Sequence, residues 1–337
     1  MREALATPGV ATGNVSVLCP FPDWNVDIHS GELTYVNAVY VEALQSASKL
    51  AAVLGHRAQA KAWSVAAAAV RRAVNRQLWN PKTRVYDAST SQRGSVVQDA
   101  NVTAILAGIP SRSRARVIVK VLPRPLRSKY GPLDVSSPAP SGYTQHTSPY
   151  MGSFHVLADF ATRNEPAALA LIRQEWGYMI QHDPGGVDWE RIQLNGVPAG
   201  GPAADSSAHA WSTGPTAALS MFVLGVRPTT PGYRRWSVAP QPGDLRWAQG
   251  IVPTRRGPLS VRWRRKRGRS FVLTVRVPRG TSGKVVVPLI HRGGTIARSG
   301  RIVWSNGRPA PGVRAHRAGR TVVFAQHRGL STYASVR

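Results

Sequence analysis

The chain has 337 residues, 42% of them apolar, and carries 44 Lys and Arg against 16 Asp and Glu, a formal net charge of +28. This length predicts a large core and two domains, and the absence of a run of about 18 apolar residues argues against a membrane span. Cys19 is the single cysteine. It excludes an internal disulfide and a cysteine-only zinc site, and no metal or cofactor is expected. The amino-terminal MREALATPG shows no secretory signal, and the compartment stays open.

Helical periodicity dominates the chain as far as residue 224. After a Pro-broken loop over residues 1–32, apolar positions recur at helical spacing over 33–54, and an alanine-rich helix is predicted over 57–78. Long loops at 123–149 and 182–212 are expected to carry function, as loops of that length in compact domains usually do. Further helices are predicted at residues 95–107, 112–122, 150–163, 166–182 and 213–224.

The rhythm of the sequence changes at Gly225. Pro228 and Pro231 forbid continuation of the last helix. Short β-rich runs such as SFVLTVRV then alternate with Gly and Pro turns. This pattern predicts an antiparallel β-sandwich after the helices, and therefore an α+β chain of two domains.

Few residues are candidates for chemistry. No phosphate loop, HExxH, paired CxxC or GxSxG occurs. What remains is a sparse set of carboxylates in loops with Trp, Tyr and His. This combination suits sugar binding and hydrolysis, because carboxylates can act as acid and base while aromatic rings stack on the sugar. Glu190 lies in the Gly-flanked GGVDWERIQLNG, and read alone it is a surface carboxylate beside Arg191. Likewise, His209 in SSAHAW reads as a structural residue, and Asp23 in FPDW reads as a turn cap.

Several segments taken together carry a family resemblance. The run APQPGDLRWAQG, the segments FPDW, GGVDWERIQLNG and SSAH, and residues 148–180 resemble the later part of bacterial α-L-rhamnosidases, which are inverting glycoside hydrolases. The resemblance implies a partial (α/α)6 six-hairpin barrel over residues 1–230 and a carboxy-terminal antiparallel β-sandwich over 231–337. It also implies a rhamnose-containing glycan or glycoside as the partner.

The resemblance assigns roles to five residues. It makes Glu190 the general base that activates the attacking water. It makes His209, Asp23 and Trp24 ligands of the sugar, and Trp189 the aromatic platform on which the sugar stacks.

The chain departs from the family at the general acid. The acidic motif that carries this acid lies upstream of the Asp-Trp segment in the family, and nothing before Asp23 matches it; Glu3 is the only earlier carboxylate. Because inverting hydrolysis needs two carboxyl groups, we expect the chain alone to be inactive. It is interpreted as a gene fragment, a degenerate relative or half of an assembly, and we favour the fragment. Seven predicted helices in place of the barrel's twelve would leave apolar faces exposed, so association through them is expected.

Two other function classes stay open. One is a non-catalytic carbohydrate-binding protein that keeps the aromatic sugar site, and the other is a basic module that binds an anionic polymer. The densest basic cluster reads either as a charged strand edge that discourages pairing or as an anion-binding patch. No aromatic-interleaved motif accompanies it, so nucleic acid is not expected. The cluster consists of Arg262, Arg264, Arg265, Lys266, Arg267 and Arg269.

Overall fold

The computed structural model describes residues 31–139, 143–198, 206–327 and 329–336. The chain divides into two compact units, one that ends at Gly214 and one that begins at Pro215. A short helix over Gly214–Ala218 continues into a π-helical turn over Leu219–Val223, and all of it except Gly214 lies in the second unit. A 3-10 turn over Pro231–Tyr233 follows. The predicted domain boundary between residues 230 and 231 stays a prediction.

Helices build most of the first unit, and they lie close to where the sequence predicts them. Local signals define their ends: the hydroxyls of Ser111 and Ser148 accept the backbone N–H of the residue three positions on, each at 3.2 Å. Gly55, with φ of +87°, follows the end of the first helix. The helices are α1 Thr34–Val53, α2 Arg57–Gln77, α3 Gln98–Leu106, α4 Arg112–Val121, α5 Pro149–Ala161 and α6 Glu165–His182.

The helices of this unit pack in an alternating order. Helix α1 packs on α2 and α5 on α6, while α3 packs against both α1 and α5. Alternate helices are therefore neighbours, as in the wall of an (α/α) barrel. Their shared core is apolar and fully buried, with Val41, Val74, Ile118 and Leu122 at its centre. A small hairpin, β1 Trp79–Asn80 with β2 Val85–Tyr86, lies between α2 and α3 and was not anticipated from the sequence.

The two long loops of the first unit are tied together by isolated backbone bridges. Leu133 bridges Thr147, and Thr147 bridges Ile192, in both cases antiparallel. Ile192 in turn bridges Pro198. The loop between α4 and α5 and the loop after α6 therefore run side by side, which places Glu190 beside the segment that precedes α5.

The second unit is a β-sandwich, as predicted. Its strands are β3 Val226–Pro228, β4 Arg235–Val238, β5 Trp247–Val252, β6 Leu259–Lys266, β7 Ser270–Val277, β8 Ser282–Pro288, β9 Thr295–Arg298, β10 Arg301–Ser305, β11 Arg308–Pro309, β12 Ala315–Ala318, β13 Thr321–Gln326 and β14 Gly329–Val336. One sheet has seven strands in the order β11-β10-β9-β14-β7-β6-β5, and the other has five in the order β12-β13-β8-β4-β3. All neighbours in both sheets are antiparallel except β4 and β8, which run parallel.

Aromatic side chains fill the space between the two sheets. Trp263 and Phe271 are buried and stacked, with ring centroids 5.7 Å apart. The indole N–H of Trp263 donates to the carbonyl of Val223 at 2.9 Å, so the buried donor is satisfied. A helical region followed by a β-sandwich confirms the predicted α+β class. In the described part of the chain, no helix is both long and apolar enough to cross a membrane.

Candidate active site

Glu190 and His209 lie together in the structure. The Glu190 Oε2 atom is 3.7 Å from Nδ1 of His209, and their side chains are 13% and 19% exposed. Both are therefore sheltered by protein while part of each still reaches solvent. A carboxylate in this setting can hold a water molecule and take a proton from it.

Backbone hydrogen bonds between two segments bring these side chains together. The N–H of Glu190 donates to the carbonyl of Ser206 at 3.0 Å, and the N–H of Ser206 donates back to Glu190 Oε2 at 2.7 Å. The N–H of His209 donates to the carbonyl of Asp188 at 2.7 Å. The Glu190 carboxylate is thus oriented by a backbone donor, a charge-assisted hydrogen bond of the stronger kind. Partial burial also raises the pKa of the neighbouring Asp188 carboxyl.

Trp189 lies next to Glu190 but faces the interior, and this corrects its predicted role as a stacking platform. Its side chain is 3% exposed, and its indole N–H donates to Asp183 Oδ2 at 2.7 Å. Its carbonyl accepts the hydroxyl of Ser212 at 2.9 Å. Tyr178 meets the indole edge-on at 6.2 Å. A sugar ring has no access to this indole, and Trp189 instead anchors the loop that carries Glu190.

Trp211 supplies the open aromatic face that Trp189 lacks. It is 69% exposed. It meets the ring of His209 edge-on at 5.8 Å and that of Tyr150 in a tilted contact at 5.4 Å. The sequence signal for it was the end of SSAHAW, two residues after His209. An exposed indole beside a His and a carboxylate offers a flat apolar face next to two hydrogen-bonding groups.

A second polar cluster borders the bridged loops. Tyr143 donates its hydroxyl to Asp134 Oδ2, and His146 Nδ1 is 3.8 Å from the same atom. Burial raises the pKa of Asp134 to about 6. Burial and the positive charge of Arg191 lower the pKa of His146 to about 4. His146 is therefore neutral at pH 7, and its contact with Asp134 is not an ion pair there.

Asp23 and Trp24, the remaining predicted sugar ligands, lie outside the described residues. Among the residues that the structure describes, no group of three His, Cys, Asp or Glu side chains is placed to hold a metal ion.

Family models match two parts of the chain. Residues 225–300 match the bacterial alpha-L-rhamnosidase C-terminal domain. Residues 27–142 match the mannosylglycerate hydrolase MGH1-like glycoside hydrolase domain. The loop with Glu190 and His209 lies between the two matched ranges, so these matches assign it no role.

Similar proteins with known names are also alpha-L-rhamnosidases. An alpha-L-rhamnosidase of Streptomyces avermitilis is 32% identical over 148 residues, which are 40% of this chain and 14% of that protein. The solved α-L-rhamnosidase from Dictyoglumus thermophilum has a TM-score of 0.76 at 18% identity and covers 99% of this chain, which spans 35% of its length. The Streptomyces avermitilis enzyme solved with L-rhamnose has a TM-score of 0.67 at 20% identity, with 93% of this chain and 28% of that one covered.

The chain is thus similar in sequence and fold to one part of the bacterial α-L-rhamnosidases, and the predicted resemblance is confirmed. It spans about a third of the length of the two solved relatives.

Proposed function

We propose that this chain contributes to an inverting glycoside hydrolase that removes terminal α-L-rhamnosyl residues. The observation that carries the proposal is the cluster of Glu190, His209 and Trp211 in the first unit. The Glu190 Oε2 atom lies 3.7 Å from His209 Nδ1, and the ring centroids of His209 and Trp211 are 5.8 Å apart. The similarity of the chain to α-L-rhamnosidases supplies the sugar class.

Each member of the cluster has a role that its chemistry suits. Glu190 takes a proton from the water that attacks the anomeric carbon, and the Ser206 N–H at 2.7 Å holds its Oε2 atom in place. His209 hydrogen-bonds a sugar hydroxyl, and Trp211 stacks on the ring. Asp23 and Trp24 are proposed to complete the sugar site. The general acid is not assigned to a residue of this chain.

The base can be tested without the acid by choosing a substrate whose leaving group needs no proton. Fluoride departs unassisted, so α-L-rhamnosyl fluoride reports on water activation alone. We expect the full chain to hydrolyse it and to release the β anomer first, observed by NMR. Glu190→Gln should lower the rate by about 10²- to 10⁴-fold, the usual contribution of a general base.

Glu42→Gln is the matched control, because Glu42 is exposed on α1 and the substitution makes the same change of charge. Release of the α anomer first, or equal rates for the Glu190 and Glu42 variants, would refute the proposal. L-Rhamnose binding by the chain with no hydrolysis of the fluoride would instead select a non-catalytic carbohydrate-binding protein. In that case, Trp211→Ala should abolish the binding.

A further inference from the structure

A groove of ≈ 620 Å³ lies on the outward face of the seven-stranded sheet, along strands β5, β6 and β7. Trp247 of β5 lines the groove and is 61% exposed. Arg264 is its direct cross-strand partner on β6, and Arg262 is the partner of Gln249. Directly opposed residues on one face of a sheet have Cβ atoms about 5 Å apart. An open indole is therefore flanked by guanidinium groups.

The charge of this groove is not explained by protection of a strand edge. Strand β6 pairs with β5 on one side and with β7 on the other, so Arg262 and Arg264 lie on an interior strand. The edge strand β5 instead presents Trp247, Gln249 and Ile251 on its exposed positions. Charges that discourage edge pairing belong on the edge itself. The interpretation of this cluster as a charged edge is therefore wrong for Arg262 and Arg264.

Contacts within the chain do not explain these two arginines either. Within the described residues, the side chains of Arg262 and Arg264 make no hydrogen bond or ion pair, and both are exposed. Arg265 differs, because its guanidinium donates to the carbonyls of Leu245 at 2.7 Å and Gly243 at 2.5 Å and so holds the preceding loop. Asp244 is the last acidic residue of the chain. Strands β5 to β14 therefore carry no acidic side chain, and Asp244 itself interacts with Arg265.

We propose that this groove binds an acidic polysaccharide. Arg262 and Arg264 are two positions apart on one strand face, about 7 Å, and each planar fork can hold one uronate carboxylate by two hydrogen bonds. Trp247 stacks on a sugar ring between or beside them. A single indole suits one ring of a glycan, whereas single-stranded nucleic acid is held by several aromatics on which successive bases stack. Acidic polysaccharide is thus favoured over nucleic acid.

The test is the affinity of the full chain for an oligomer of galacturonic acid, measured by calorimetry. A neutral galactose oligomer of equal length and an oligothymidylate are measured beside it. We expect binding of the acidic oligomer only. Added salt should weaken this binding, because it screens the attraction between the guanidinium groups and the carboxylates. Arg262→Gln with Arg264→Gln should weaken it by about tenfold or more. Trp247→Ala, made separately, should weaken it by about tenfold.

The control is Arg301→Gln with Arg308→Gln, which removes the same charge from exposed positions on β10 and β11 of the same sheet. This variant should bind within about twofold of the unmodified chain. Equal losses in control and groove variants would reduce the effect to net charge and overturn the proposal. Equal binding of the neutral oligomer, or tighter binding of oligothymidylate, would overturn it too. Hydrolysis of α-L-rhamnosyl fluoride should not change in any of these variants, so this proposal and that for Glu190 fail independently.

Discussion

Glu175 of α6 is a buried acid whose replacement should change how stability depends on pH. Its side chain is fully buried, and neither carboxyl oxygen has a hydrogen-bond partner. Two glycines make the space for it: a Cβ at Gly152 would lie 2.5 Å from Oε1, and one at Gly131 would lie 2.9 Å from Oε2. Burial raises the pKa of Glu175 well above its ordinary value of 4.5.

The sign and size of the effect follow from proton linkage. Below pH 4.5 the group is protonated in both states, and its contribution to stability is fully present. As the pH rises, the unfolded chain loses the proton while the folded chain keeps it, so stability is lost at about 1.4 kcal/mol for each pH unit. Stability therefore keeps falling with rising pH for as long as the folded chain retains the proton. Glu175→Gln is neutral at every pH and should not show this loss.

The measurement is urea unfolding of the full chain at pH 4.5 and pH 7, followed by circular dichroism at the helical band, which reports on the first unit. The unfolding free energy of the unmodified chain should fall relative to that of Glu175→Gln between these pH values, by up to about 1.4 kcal/mol for each pH unit. Glu42→Gln controls for loss of an exposed carboxylate. Parallel pH profiles for the unmodified chain and Glu175→Gln would refute the reasoning, because they would show that Glu175 ionises in the folded state as it does in the unfolded one.

Two further predictions concern tryptophans. Trp189→Ala should lower the unfolding free energy of the first unit by about 3–5 kcal/mol, since it empties a buried site, whereas Trp211→Ala at an exposed position should change it by less than about 0.5 kcal/mol; comparable losses would contradict the assigned burial. Trp263→Phe should destabilise the sandwich by about 1–3 kcal/mol, because the buried carbonyl of Val223 loses its donor; thermal unfolding checks this, and an unchanged midpoint would count against that bond.

The helices of the first unit were predictable because their signals are local. Apolar spacing such as that of Val41 in α1 and Val74 in α2 depends only on the helical repeat, and the serine and glycine ends are read from neighbouring residues. The change from helices to strands after Gly225 was predictable for the same reason, because its signals are also local. Strands β6 and β7 alternate buried and exposed positions as their sequences do.

Features that depend on distant contacts were not predictable in this way. Trp189 and Trp211 lie in similar polar segments, and the inward orientation of Trp189 depends on contacts such as those of its indole with Asp183 and Tyr178. The parallel pairing of β4 with β8 joins strands far apart in sequence. Glu175 looks like a surface residue in QEWGY, because the glycines that enclose its carboxyl group come from elsewhere.

The role of Glu190 as the base that activates water is the central claim, and chemical rescue tests it most directly. In Glu190→Ala, a small anion such as azide can enter the space of the lost carboxylate and attack the anomeric carbon itself. With α-L-rhamnosyl fluoride and azide, we predict that the variant regains turnover and forms β-L-rhamnosyl azide, identified by NMR. Absence of the azide product, formation of the α anomer, or equal azide product from the unmodified chain would contradict the claim.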